Sequence, residues 1–138
     1  MLKRPNEEFV REGAEKVTDQ DIQNVAEHAD DIRKQFSARG PLKRFIEDSR
    51  IMTALIRDWR AGNYRRAMRW TIAAAAFALI YVINPFDIVP DILPIVGAVD
   101  DASVVAACLF LIERDLFKYR DWKINQAGGG PIEDVTPR

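Results

Sequence analysis

Apolar residues recur along this chain in three distinct patterns, and each predicts a helix of a different kind. Thr18-Asp19-Gln20-Asp21 sets an acid three residues after a threonine, which is the signature of a helix N-terminus. Ile22, Val25, Ala29, Ile32 and Phe36 follow at steps of three and four and so share one face. This first helix is predicted to end near Gly40, with Pro41 opening the next. From Pro41 to about Ala61 a cleaner stripe appears, made of Leu42, Phe45, Ile46, Met52, Leu55, Ile56 and Trp59. Lys43, Arg44, Glu47, Asp48, Arg50, Arg57 and Arg60 lie mostly off that stripe, and Gly62-Asn63 ends the helix. A third helix, through Thr71–Ile83, is apolar on every side, so it is buried either in protein or in lipid.

Asn84-Pro85 stops the third helix, and a fourth begins at Asp100 or Asp101. With Asp100 as N-cap, Val99 and Val104 fall at staple positions and Asp101 complements the helix dipole. Val104, Val105, Leu109, Phe110, Leu111, Ile112, Leu116 and Phe117 carry it to roughly Trp122. Strand signals are absent, so the expected fold is all-α: a small bundle of about four helices. Helices three and four form an apolar hairpin over 70–122, joined by a proline- and aspartate-rich bend. Residues 1–17 are charged, contain Pro5 and Gly13 and lack a sustained apolar period, and read as a flexible arm. The single helical domain then covers 18–125, and 126–138, with three consecutive glycines, reads as a flexible tail.

The bend is the most unusual stretch. Pro85, Pro90 and Pro94 fix backbone angles and push Asn84, Val89 and Leu93 toward extended conformations. Gly97 allows a close backbone approach or a positive φ. Asp87, Asp91, Asp100 and Asp101 recur beside these breaks, where carboxylates can cap exposed N–H groups. Two sharper readings stay open. Four carboxylates that converge suit a hard divalent cation, and acids within a membrane suit a polar relay or transport element. Asp87 and Asp91 share a face only in a helix, and Pro90 opposes one.

Charge changes the picture once it is divided along the chain. Residues 39–69 carry 9 basic and 3 acidic side chains, whereas 70–112 carry 4 aspartates and no basic residue. Arg60, Arg65, Arg66 and Arg69 precede the apolar region, and Arg114, Lys118, Arg120 and Lys123 follow it. Basic residues on both flanks with none between is the pattern of a hairpin whose ends are both cytoplasmic. Trp70, Tyr81, Tyr119 and Trp122 are candidate interface anchors. Length opposes simple spanning. Trp70 to Ile83 measures about 21 Å, against a hydrocarbon core of about 30 Å. A second span from Ile95 to Ile112 would centre Asp100 and Asp101, at a cost of roughly 5–7 kcal/mol. The hairpin therefore either dips into the bilayer with its bend shielded or forms the core of a soluble bundle.

Other chemistry is bounded quickly. The 138-residue chain has one histidine, His28, and one cysteine, Cys108, so it offers no disulfide and no zinc-ligand spacing. No glycine-rich phosphate loop occurs. Residues 1–21 are polar where a signal peptide would be apolar, so the N-terminus is expected in the cytoplasm. The basic block is interrupted by Glu47, Asp48 and Asp58 and matches no nucleic-acid module.

Tyr81, Pro85, Asp87, Ile88, Pro90-Asp91, Leu93-Pro94, Gly97 and Asp100-Asp101 resemble the signature of the YkvA-like family, domain of unknown function 1232, over roughly residues 70–112. The resemblance implies a small bacterial helical protein of a kind often integral to membranes. The same domain is similar to one found in a membrane-bound RING-type ubiquitin ligase. No general activity is established for the family, so no catalytic residue carries over. The expectation is a non-enzymatic scaffold or interaction protein without a required cofactor. It is held by the hairpin at the cytoplasmic side of the bacterial inner membrane. Its expected partners are membrane lipids, anionic ones included, and an unidentified protein, but not nucleic acid. The alternatives are a soluble cytoplasmic interaction module that uses the second helix, and a divalent-cation-binding or transport-related protein that uses the aspartates. The motif residues at stake are Asp87, Pro90, Asp91, Pro94, Gly97, Asp100 and Asp101.

Overall fold

A computed structural model describes residues 5–38, 40–83 and 101–127. The described residues are helical with no strand, and the all-α architecture is as the periodicity predicts. Six α-helices occur in them: α1 (Pro5–Glu15), α2 (Asp19–Glu27), α3 (Ala29–Ala38), α4 (Ile46–Ala61), α5 (Arg69–Ile83) and α6 (Asp101–Ala127), with a 3₁₀ turn over Gly40–Phe45.

The bundle is built around α5, and all five other helices touch it. Ile72 to Ile80 are each buried to within 1 % of complete, on every side of the helix. Its alanines, Ala73 to Ala76 and Ala78, let neighbouring helices approach closely, while Phe77, Leu79 and Ile80 fill the spaces between them. Burial of each such large side chain is worth about 1.5–3 kcal/mol. An all-apolar helix is explained here by a protein environment. The α5–α6 pair is antiparallel: the Thr71 hydroxyl donates to Asp115 at 2.5 Å, and three residues on, the Cys108 thiol donates to the Ala74 carbonyl at 3.4 Å. The bend between the two helices lies outside the described residues.

Three expectations need correction. The supposed flexible arm is not one from Pro5 onward, because α1 packs on both α5 and α6. Phe9, Val10, Ala14 and Val17 are buried, and the steps of four and three from Val10 to Ala14 to Val17 keep these residues on one side. Gly13 makes the contact possible: a β-carbon there would sit 2.2 Å from the Phe77 ring. Phe9 then meets Phe77 and Tyr81 edge-on, at 5.3 and 5.4 Å between centroids.

The predicted first helix is two helices. The capping box is present, with the Thr18 amide donating to Asp21 Oδ2 at 2.8 Å and the Asp21 amide to Thr18 Oγ1 at 3.1 Å. At His28, however, the backbone leaves the helical region and its N–H is shared between the Asn24 and Val25 carbonyls. A straight helix over this stretch would be about 30 Å long. The break lets α2 and α3 both fold against α4 and α5. The second predicted helix begins as the 3₁₀ turn and becomes α-helical only at Ile46. It ends as expected, at Gly62 with φ 88°.

Candidate membrane-facing surface

α6 has two apolar faces. Val104, Val105, Cys108, Ile112, Leu116 and Tyr119 turn inward and are buried. Phe110, Phe117 and Ile124 are 56, 70 and 65 % exposed, and they are spaced by seven residues. A seven-residue step drifts only about 20° around a helix, so the three side chains form a single ridge about 21 Å long. Exposed Arg114, Lys118 and Arg120 flank the ridge, together with the exposed acids Glu113 and Asp121. In the sequence, Phe110 and Phe117 stand in one undivided set with the other apolar residues that carry the last helix. The signal that separates them is the strict seven-residue spacing against the three-and-four spacing of the buried face.

The turn between α4 and α5 sits at the C-terminal end of α6. Tyr64 of the turn packs on Tyr119 and Trp122, with centroids 5.1 and 5.0 Å apart. Asp58, at the end of α4, ties the three elements together. Its Oδ2 accepts from the Tyr119 hydroxyl at 2.6 Å and from Lys123 Nζ at 3.1 Å, while Oδ1 accepts from Asn63 Nδ2 at 3.3 Å. Burial alone would raise the Asp58 carboxyl, but these hydrogen bonds outweigh it and hold its pKa below the ordinary value. Burial, followed by the bond to Asp58, pushes the Tyr119 phenol upward. Tyr119 is therefore an internal strut and not an interface anchor. Tyr81, on the rings of Phe9 and Phe77, is likewise turned into the protein.

The same turn presents Arg65, Arg66 and Met68 to solvent, with Met68 64 % exposed. Arg57 and Arg60 are exposed on the last turns of α4, and the Arg65 guanidinium lies over the Trp59 ring at 4.6 Å. Arg69 is spoken for: it donates to Asp19 at 2.9 Å and to the Val17 carbonyl at 3.3 Å, locking the start of α5 to the α1–α2 junction. Five of the nine basic residues of the 39–69 block thus gather at one end of the bundle.

Of the motif residues, Asp87, Pro90, Asp91, Pro94, Gly97 and Asp100 lie outside the described residues, and Asp101 is the first residue of α6. Among the described residues no group of three or more His, Cys, Asp or Glu side chains could hold a metal ion. Cys108 is fully buried, and burial pushes its thiol up to about 12, which removes it as a nucleophile. His28 is exposed, with Nδ1 2.7 Å from the Asn24 carbonyl. No described helix is long and apolar enough to cross a membrane.

Residues 71–107, which run from α5 through the bend into the first part of α6, match the model of a family described as a protein of unknown function, DUF1232. An uncharacterized membrane protein, YkvA, of Bacillus subtilis (strain 168) is 33 % identical over 82 residues, which cover 59 % of this chain and 77 % of that protein. The chain belongs to the DUF1232 family. No solved structure matches it. The matched stretch ends before the ridge and begins after the arginine turn, so the family speaks for the hairpin and its bend.

Proposed function

We propose that this protein is a non-enzymatic, peripheral membrane protein that rests on the cytoplasmic face of the bilayer through the outer face of α6. The observation that carries this reading is the exposed Phe110–Phe117–Ile124 ridge, flanked by charged side chains of both signs with a basic excess, on a helix whose inner face is already buried. The name of the Bacillus relative supports a membrane role. The enclosure of α5 by five helices supports contact with the surface over insertion of the hairpin.

An interfacial helix needs an apolar face that enters the headgroup region while its charged flanks stay wet. Transfer of three side chains that are already about one-third covered returns roughly 1–2 kcal/mol each. A total of about 3–6 kcal/mol corresponds to a dissociation constant near the millimolar range. The ridge alone gives weak, reversible binding, so a second contribution is required for stable residence. The scaffold function falls to the surfaces turned away from the membrane, where an unidentified protein is the partner. Neither a cofactor nor nucleic acid enters this reading.

Co-sedimentation with lipid vesicles tests it. The protein pellets with vesicles, and Phe117→Ser with Ile124→Ser stays in the supernatant. A wild-type chain that never pellets overturns the proposal, and one that binds a second copy or a helical partner through the same ridge makes it an interaction module.

A further inference from the structure

The ridge is too weak to hold the protein alone, and the second contribution has a place. A surface cleft of about 360 Å³ opens between the start of α2 and the end of α4, lined by Asp19, Gln20, Gln23, Trp59, Arg60 and Arg65. Arg60 and Arg65 both line it, and the Arg65 guanidinium is oriented by stacking over the Trp59 ring. The single carboxylate, Asp19, is already matched by Arg69 at 2.9 Å. Gln20 and Gln23 spend their amides along α2, on Asn24 and Glu27. Among the described residues no carboxylate pairs with Arg60 or Arg65, so the cleft carries an unmet excess of positive charge. Guanidinium forks fit phosphate oxygens, and a stacked guanidinium loses little freedom on binding one. Exposed Arg57, Arg66 and Met68 adjoin the cleft in sequence and add charge and an apolar tip.

We infer that the Arg60–Arg65 cleft is a binding site for the phosphate of an anionic phospholipid headgroup, which supplies the charge-dependent half of membrane attachment. This inference rests on the membrane-surface reading and names its lipid class. A free phosphate ion would meet the same guanidiniums, but the exposed apolar Met68, three residues after Arg65 in the chain, favours a ligand embedded in an apolar phase.

The test measures partition of the full chain onto vesicles of phosphatidylcholine alone and of phosphatidylcholine with phosphatidylglycerol. Wild-type protein binds the anionic vesicles more tightly, with an advantage that shrinks as salt rises. Arg60→Gln with Arg65→Gln loses about thirtyfold on anionic vesicles, the effect expected for two surface cations at an anionic leaflet, and nothing on neutral ones. Lys34→Gln with Lys43→Gln removes the same charge from exposed positions elsewhere and keeps most of the affinity. Equal losses in the two double variants overturn the cleft in favour of diffuse charge. Wild-type binding that ignores lipid charge overturns it while leaving the membrane reading intact, and no binding to either vesicle removes both. Displacement from vesicles by millimolar inorganic phosphate places the ligand in solution and overturns the lipid assignment. All four substituted side chains are exposed, so far-UV circular dichroism of each variant should match the wild type.

Discussion

Gly13 and Asp58 show how much of this fold hangs on single side chains. Gly13 lets α1 lie against the flat of Phe77, which is fully buried and has nowhere to go. Gly13→Ala gains helix propensity of up to about 1 kcal/mol, but it forces overpacking that costs about 1–3 kcal/mol or more. The expected outcome is a lower melting temperature, read by thermal denaturation, with α1 the first element to lose amide protection. Asp58 joins α4, the α4–α5 turn and α6 through charge-assisted hydrogen bonds. Its folded pKa lies below the ordinary value, so its contribution is present above the unfolded pKa near 4 and disappears as pH falls through the lower folded value. Asp58→Asn should cost about 1–3 kcal/mol at neutral pH. In denaturant titrations the stability gap between wild type and variant should narrow as pH drops below about 4. An unchanged gap would show that the Tyr119 bond matters without the charge.

At the scale of elements, α6 carries both structure and surface. Its inward residues close the core and its outward ridge does not, so the ridge can be altered without loss of the fold. Phe117→Ser with Ile124→Ser should shift stability by no more than about 0.5 kcal/mol per site while weakening vesicle binding roughly thirtyfold to a thousandfold. The helices were legible to different degrees, for physical reasons. α4 and α5 were readable because one has a continuous stripe and a left-handed glycine stop and the other has no polar face at all. α1 was missed because its stripe of Phe9, Val10, Ala14 and Val17 is short and interrupted by Gly13, whose value is steric and visible only against Phe77. The break at His28 follows from where α2 and α3 must pack, a constraint that local spacing does not contain. Likewise the ridge of α6 and the core face of α6 are both apolar; their spacings differ, but only the packing of the bundle says which of them is covered.

At the scale of the whole molecule, the membrane question turns on what surrounds α5. Sequence hydropathy allowed protein or lipid, and the charge layout suggested a hairpin dipping into the bilayer. In the folded chain α5 is enclosed by helices, and the 20-residue requirement for a span is met by no described helix of sufficient hydropathy. The Pro/Asp bend, which carries Asp87, Pro90, Asp91, Pro94 and Gly97, belongs to the family-matched stretch, but its role as caps or as an ion site lies outside the described residues. Basic side chains that looked like topology signals have mixed duties: Arg69 and Lys123 are tied into the fold, whereas Arg60, Arg65 and Arg66 face solvent. The central claim is attachment without insertion. Alkaline carbonate washing of membranes carrying the protein tests it most directly. The protein should pellet with membranes at neutral pH and be released to the supernatant by the wash. Retention in the washed pellet would contradict it, because only an inserted hairpin would survive that treatment.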